Sequence, residues 1–114
     1  MVFLLVNENK VLNQINVCIL DYGSGNIKSV SNLISFLGYN AKVSNDIEDI
    51  QSSSHFILPG VGSFGSAMEK IKSKIPLEKL KYEIIQKGKP FLGICVGMQV
   101  LVEKGYEYGE HDGL

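Results

Sequence analysis

Short apolar runs that end in glycine clusters alternate, along this chain, with stretches whose apolar residues recur every three or four positions. Asn16 to Leu20 is a run of strand character, broken by Asp21-Tyr22-Gly23-Ser24-Gly25. Ile27, Val30, Leu33, Ile34 and Leu37 then keep a helical spacing, and Gly38 is placed to stop that helix. Ala41 to Val43 is a short strand followed by a polar turn rich in Asp and Ser. His55 to Leu58 is the next strand, broken by Pro59-Gly60. Ser63 can cap a helix with Phe64, Ala67, Met68 and Ile71 on its apolar face. Pro76 suits the first turn of another helix, carrying Leu77, Leu80 and Ile84, with Gly88 beyond its end. Pro90 to Ile94 reads as a strand, Val96 to about Lys104 as a helix, and Gly105 to Leu114 as a polar tail.

Strands alternating with helices predict an α/β fold: three layers, a mostly parallel sheet with helices on both faces. Ligands of such sheets bind beyond the carboxyl ends of the strands. The glycine clusters at 23 and 25, at 60, 62 and 65, and at 93 and 97 all sit at those ends and are expected to converge on one edge. The chain divides into residues 1–15, which precede the first convincing strand and have no assigned role, and residues 16–114, one domain.

Composition excludes several classes. Net charge is −1 with Lys and Glu interspersed, so no basic stripe supports nucleic-acid binding. The opening Met1 to Val6 run is too short for a membrane span or a signal-peptide core and has no basic residue before it. A cytoplasmic protein without membrane association is expected. The two cysteines, Cys18 and Cys95, lie in separate apolar runs with no metal spacing, so neither a disulfide framework nor a metal is expected, and no other cofactor.

The sharpest chemical feature is Phe91-Leu92-Gly93-Ile94-Cys95-Val96-Gly97-Met98-Gln99. A strand runs into Cys95, a helix leaves it, and glycines flank it two residues away on each side. This is the pattern of a nucleophile elbow with cysteine in the serine position. A nucleophile on a tight, strained turn needs small neighbours. The helix start beyond it supplies backbone N–H groups and a positive dipole end that favour an anion, and the Val96 N–H is aimed where an oxyanion forms. The plain alternative is a buried structural cysteine at a strand end. Gly60, Gly62 and Gly65 match a dinucleotide fingerprint, but they are not in the first strand–helix unit, and no acidic residue ends a second strand some twenty residues on. They read instead as a pliable strand that donates N–H groups to an anion, or as an ordinary glycine turn. Asp21 to Asn26 lacks a third glycine, Lys28 standing there, and capping of the next helix is the favoured role. His55 lies at the amino end of its strand and His111 in the polar tail; both read as surface histidines.

Three segments in order, Asp21-Tyr22-Gly23-Ser24-Gly25-Asn26, Pro59-Gly60-Val61-Gly62 and Gly93-Ile94-Cys95-Val96-Gly97-Met98-Gln99, resemble the class I glutamine amidotransferases. Within them the resemblance is to the glutaminase subunits of imidazole glycerol phosphate synthase, and it runs from about Asn16 to the end. It implies a flavodoxin-like fold, here truncated. It implies that Cys95 attacks the side-chain amide of glutamine, forms a glutamyl thioester and releases ammonia. Val96 and a backbone N–H near Gly60 and Val61 would hold the oxyanion, while Gly62 and Gln99 would help bind glutamine. The Pro59 to Gly62 segment would reorient on activation. Ammonia would pass to a TIM-barrel synthase (cyclase) subunit, in a heterodimer making imidazole glycerol phosphate and the aminoimidazole carboxamide ribonucleotide of histidine biosynthesis. The family's triad His and Glu lie in the second half of its chain, past the Leu114 where this sequence ends, so the expectation is that this polypeptide alone is inactive. A non-catalytic partner-binding module, an amidotransferase of another pathway and a generic cysteine hydrolase are the other readings.

Overall fold

The computed structural model describes residues 15–102, 104–106 and 108–114. Of residues 1–15, expected to be an extension of unassigned role, residues 1–14 lie outside the described residues. Four strands, β1 (Asn16–Leu20), β2 (Asn40–Ser44), β3 (His55–Leu58) and β4 (Phe91–Gly93), form one sheet in the order β2-β1-β3-β4. Every pairing in it is parallel, with Ile19 beside Val43 and Ile57, and Leu58 beside Gly93.

The alternation of side chains along β1 and β3 builds two cores. Cys18, Leu20, Phe56 and Leu58 face one way and pack with Phe64, Met68, Ile71 and Leu80. Val17, Ile19 and Ile57 face the other way and pack with Val30. Helix α1 (Ile27–Phe36) covers that second face. Helices α2 (Ile47–Ser52), α3 (Phe64–Lys74) and α4 (Leu77–Lys81) supply Ile50, Ile71 and Leu80 to the first. The expected three-layer arrangement with a parallel sheet is what the chain adopts. Ile15, only 6% exposed, joins Val17 and Ile19 in the second core.

Three elements differ from the sequence reading. The Asp- and Ser-rich stretch after β2 is not a turn but α2. Its start is marked by Asp46 in extended conformation, and Glu48 and Asp49 in its first turn suit the positive helix end. The helix from Leu77 widens at Tyr82–Gln86 into a π-turn, where Lys87 N–H donates to Tyr82 O across five residues. Helix α5 (Val96–Gln99) ends at Gln99 rather than near Lys104. Beyond Gln99 the chain tightens into turns bonded three residues back, Leu101 to Met98 and Val102 to Gln99. It then forms a small antiparallel pair, β5 (Lys104–Gly105) with β6 (His111–Asp112). The fully buried Val100 side chain and the bond from Leu114 N–H to Val100 O tie this tail to the first core.

Candidate active site

Parallel strands β1, β3 and β4 deliver the three glycine-bearing segments to the same edge of the sheet. Cys95 stands between β4 and α5 (Val96–Gln99) with φ 55° and ψ −120°, one of two non-glycine residues with positive φ among the described residues. L-residues avoid this region because Cβ crowds the backbone, at a cost of roughly 1–3 kcal/mol. The thiol is exposed. The flanking glycines are there for space. A Cβ on Gly97 would overlap the Leu58 carbonyl, and one on Gly93 would meet the Gly97 carbonyl at 2.5 Å. Leu58 O also accepts from Ile94 N–H at 3.0 Å, so the elbow is pressed directly onto the end of β3.

The Pro59 to Gly62 segment leaves β3 beside this elbow. Gly60 is buried, and a Cβ on it would overlap the Tyr22 hydroxyl and the Val96 side chain. Val61 is exposed and Gly62 takes φ +103°, open to glycine and strained for other residues. Val96 N–H donates to Gly60 O at 3.4 Å. The N–H expected to face an oxyanion is thus covered by a carbonyl in this arrangement. Val96 itself is buried, and Gln99 is exposed one turn beyond, its N–H donating to Cys95 O at 3.1 Å. Gly60 and Val96 are thus in direct contact at the elbow, and Gln99 is joined to Cys95 through its backbone.

The first segment differs from its expected role. Asn26 is the cap residue of α1 but its side chain makes no capping bond. Instead the loop closes on itself, with Gly23 N–H donating to Asp21 Oδ1 at 3.2 Å and Asn26 N–H to Ser24 Oγ at 3.5 Å. Its contribution to the site comes from Tyr22, which the sequence reading did not single out. The ring is 2% exposed and the hydroxyl donates to Pro59 O at 2.6 Å. An aromatic residue inside a glycine-rich loop was the available signal.

The histidines lie apart from the elbow in role. His55 opens β3 at the amino edge of the sheet, its Nδ1 2.8 Å from Ser54 Oγ, and burial pushes its pKa below the usual value. His111, in β6, lies over Gly65 and beside the Phe64 ring, with centroids 6.5 Å apart. Cys18 is the contrasting thiol, buried at zero exposure and pushed up to about 11, first by desolvation. Among the described residues no group of His, Cys, Asp and Glu could hold a metal ion, and no helix is long and apolar enough to cross a membrane.

The glutamine amidotransferase class I family model matches residues 18–109, which span all three segments and most of the sheet. The chain belongs to that family. The amidotransferase chain is also similar to curated relatives named imidazole glycerol phosphate synthase subunit HisH. It is 46% identical over 96 residues to the protein of Caldanaerobacter subterraneus, covering 84% of this chain and 47% of the relative. It is 46% identical over 97 residues to that of Aquifex aeolicus, covering 84% and 46%. For Desulfitobacterium hafniense the identity is 48% over 96 residues, covering 84% and 45%. This amidotransferase chain therefore spans about half the length of the curated relatives it matches.

Proposed function

We propose that the protein is the glutamine-hydrolysing component of imidazole glycerol phosphate synthase, with Cys95 as nucleophile. The observation that carries this reading is the exposed Cys95 thiol on a left-handed elbow, beside Val96 N–H and the glycine segment at 60–62.

The Cys95 sulfur, as thiolate, adds to the side-chain amide carbon of glutamine, and the carbonyl electrons move onto oxygen. The Val96 N–H and a second N–H from the Gly60–Val61 region stabilise that oxyanion. The C–N bond breaks, the amide nitrogen takes the proton that the Cys95 thiol gave up on becoming thiolate, and ammonia leaves a glutamyl thioester. Water then adds to the thioester carbon, the C–S bond breaks, and glutamate and the free thiol are regenerated. Gly62 and Gln99 flank the place where glutamine would lie.

A carbonyl oxygen cannot share the position of an oxyanion, because two negative ends of dipoles would face each other. The Gly60–Val61 peptide must turn over before the Val96 N–H is available. The positive φ of Gly62 and the exposure of Val61 support such a turn, since neither holds the segment rigidly. A synthase partner that favours the turned form would couple hydrolysis to its own need for ammonia. The relatives are named as subunits of imidazole glycerol phosphate synthase, which supports a second subunit as that partner; we take it to be a TIM-barrel cyclase, in a heterodimer of histidine biosynthesis.

The test is ammonia release from glutamine by the complete natural polypeptide, with and without the synthase subunit. Release that rises with the subunit and vanishes in Cys95→Ala is expected. Release that survives Cys95→Ala would sink the assignment of the nucleophile, and no release under any condition would leave a non-catalytic module.

A further inference from the structure

The Tyr22 hydroxyl has a place in this mechanism that the elbow and the glycine segment do not explain. We propose that Tyr22 is a positioning residue: its bond to the Pro59 carbonyl clamps the Pro59–Gly60 peptide and so keeps the next carbonyl, Gly60 O, over the Val96 N–H. Its catalytic consequence rests on the glutaminase reading above; its structural content does not.

The argument starts from where the segment can pivot. Leu58 is held in β3, and proline fixes its own φ. The Pro59 carbonyl belongs to the peptide joining Pro59 to Gly60, and that peptide receives the Tyr22 hydroxyl at 2.6 Å. The Tyr22 ring is buried, and burial pushes its pKa up, so at neutral pH the hydroxyl keeps its proton and can donate. With that plane clamped, Gly60 is the only hinge between it and the Gly60–Val61 peptide. The absent side chain at Gly60 is filled by the Tyr22 oxygen and a Val96 methyl, so the clamp and the covered N–H meet at a single residue. On the far side, exposed Val61 and left-handed Gly62 offer little resistance. The hydroxyl therefore decides which face of the Gly60–Val61 peptide looks at Val96.

Amide hydrogen exchange at Val96 reads this directly, in the full chain without ligand. The Val100 and Phe56 amides, bonded to Val96 O and Pro90 O, serve as controls for general loosening. Tyr22→Phe keeps the ring and removes the donor. It should speed Val96 exchange by about threefold to tenfold over the controls, the size of one hydrogen bond. Tyr22→4-aminophenylalanine restores a donor and should bring Val96 back toward the wild-type rate. Val96 exchange that is unchanged in Tyr22→Phe, or that rises only in step with Val100 and Phe56, overturns the proposal. Labelling of Cys95 by a diazoketone analogue of glutamine separates the two readings. If that label never reaches Cys95 in the complete natural polypeptide, with or without the synthase subunit, the glutaminase reading falls, and the exchange result still decides the role of Tyr22.

Discussion

Cys95 holds a backbone angle that glycine would adopt without cost, and its two neighbouring glycines cannot be larger without overlapping β3 or each other. The site therefore carries strain at the residue proposed as nucleophile. Cys95→Gly should raise stability relative to Cys95→Ala by about 1 kcal/mol, because alanine keeps the Cβ that makes φ 55° costly. Urea unfolding of the two variants measures that difference; equal midpoints would mean the elbow is not strained. The two thiols give a second check at this scale. In the native protein one thiol, Cys95, should react with an alkylating reagent, while Cys18, buried and pushed up to about 11, should react only on unfolding. Peptide mapping after brief alkylation distinguishes them. The flanking glycines were legible in the sequence because their spacing around a cysteine has a steric meaning. The hydroxyl of Tyr22 was not, since nothing local says that it reaches a carbonyl 37 residues away, just past the end of β3.

At the scale of elements, legibility followed how much of each segment's information is local. Helix α3 was readable because Ser63 caps it, its hydroxyl accepting from Ser66 N–H at 3.4 Å, and its apolar residues keep helical spacing. Ser63→Ala should cost about 0.5–1 kcal/mol, as loss of a serine cap does, with a urea midpoint as the measure. Helix α2 was not readable. It buries one residue, Ile50, among acidic and hydroxyl residues, so it lacks a periodic stripe and depends on the sheet it packs against. The π-turn at Tyr82–Gln86 was equally hidden, and its position brings Glu83 fully inside. Lys89 Nζ stands 3.0 Å from that carboxylate, and Lys79 and Lys87 each 3.4 Å. Burial pushes the Glu83 pKa up, but these ammonium groups, Lys89 foremost, outweigh it and hold the carboxyl below its usual range. Glu83→Gln should lower the urea midpoint at neutral pH, because three cations then lose their shared anion. The two-residue strands β5 and β6 were beyond any periodicity argument, since two residues show no period.

For the whole molecule, the parallel sheet and its two apolar faces were the most legible property, because β1 and β3 are apolar on consecutive positions rather than alternate ones. The same packing sets the acid response. His55 is held neutral by burial, its pKa below the ordinary 6.5, so the unfolded chain binds its proton first and stability should fall as pH drops below 6.5. Glu83, depressed below 4.5, contributes stability above that value and loses it as pH falls through its lowered pKa. Two successive losses are expected in urea midpoints measured from pH 8 downward. His55→Gln should flatten the first and Glu83→Gln the second; one featureless decline in all three proteins would contradict the assignment.

The order of the strands also sets a timetable. β1 sits in the middle of the sheet, yet both of its neighbours, β2 and β3, are synthesised after it. When Val17 to Leu20 leaves the ribosome neither β2 nor β3 exists, and the second of these is complete only once Leu58 has been made. During that interval this apolar strand waits uncovered or in a chaperone's grasp. β1 is therefore flanked on both sides only once the segment that ends in Pro59-Gly60 has been translated, as the future hinge emerges.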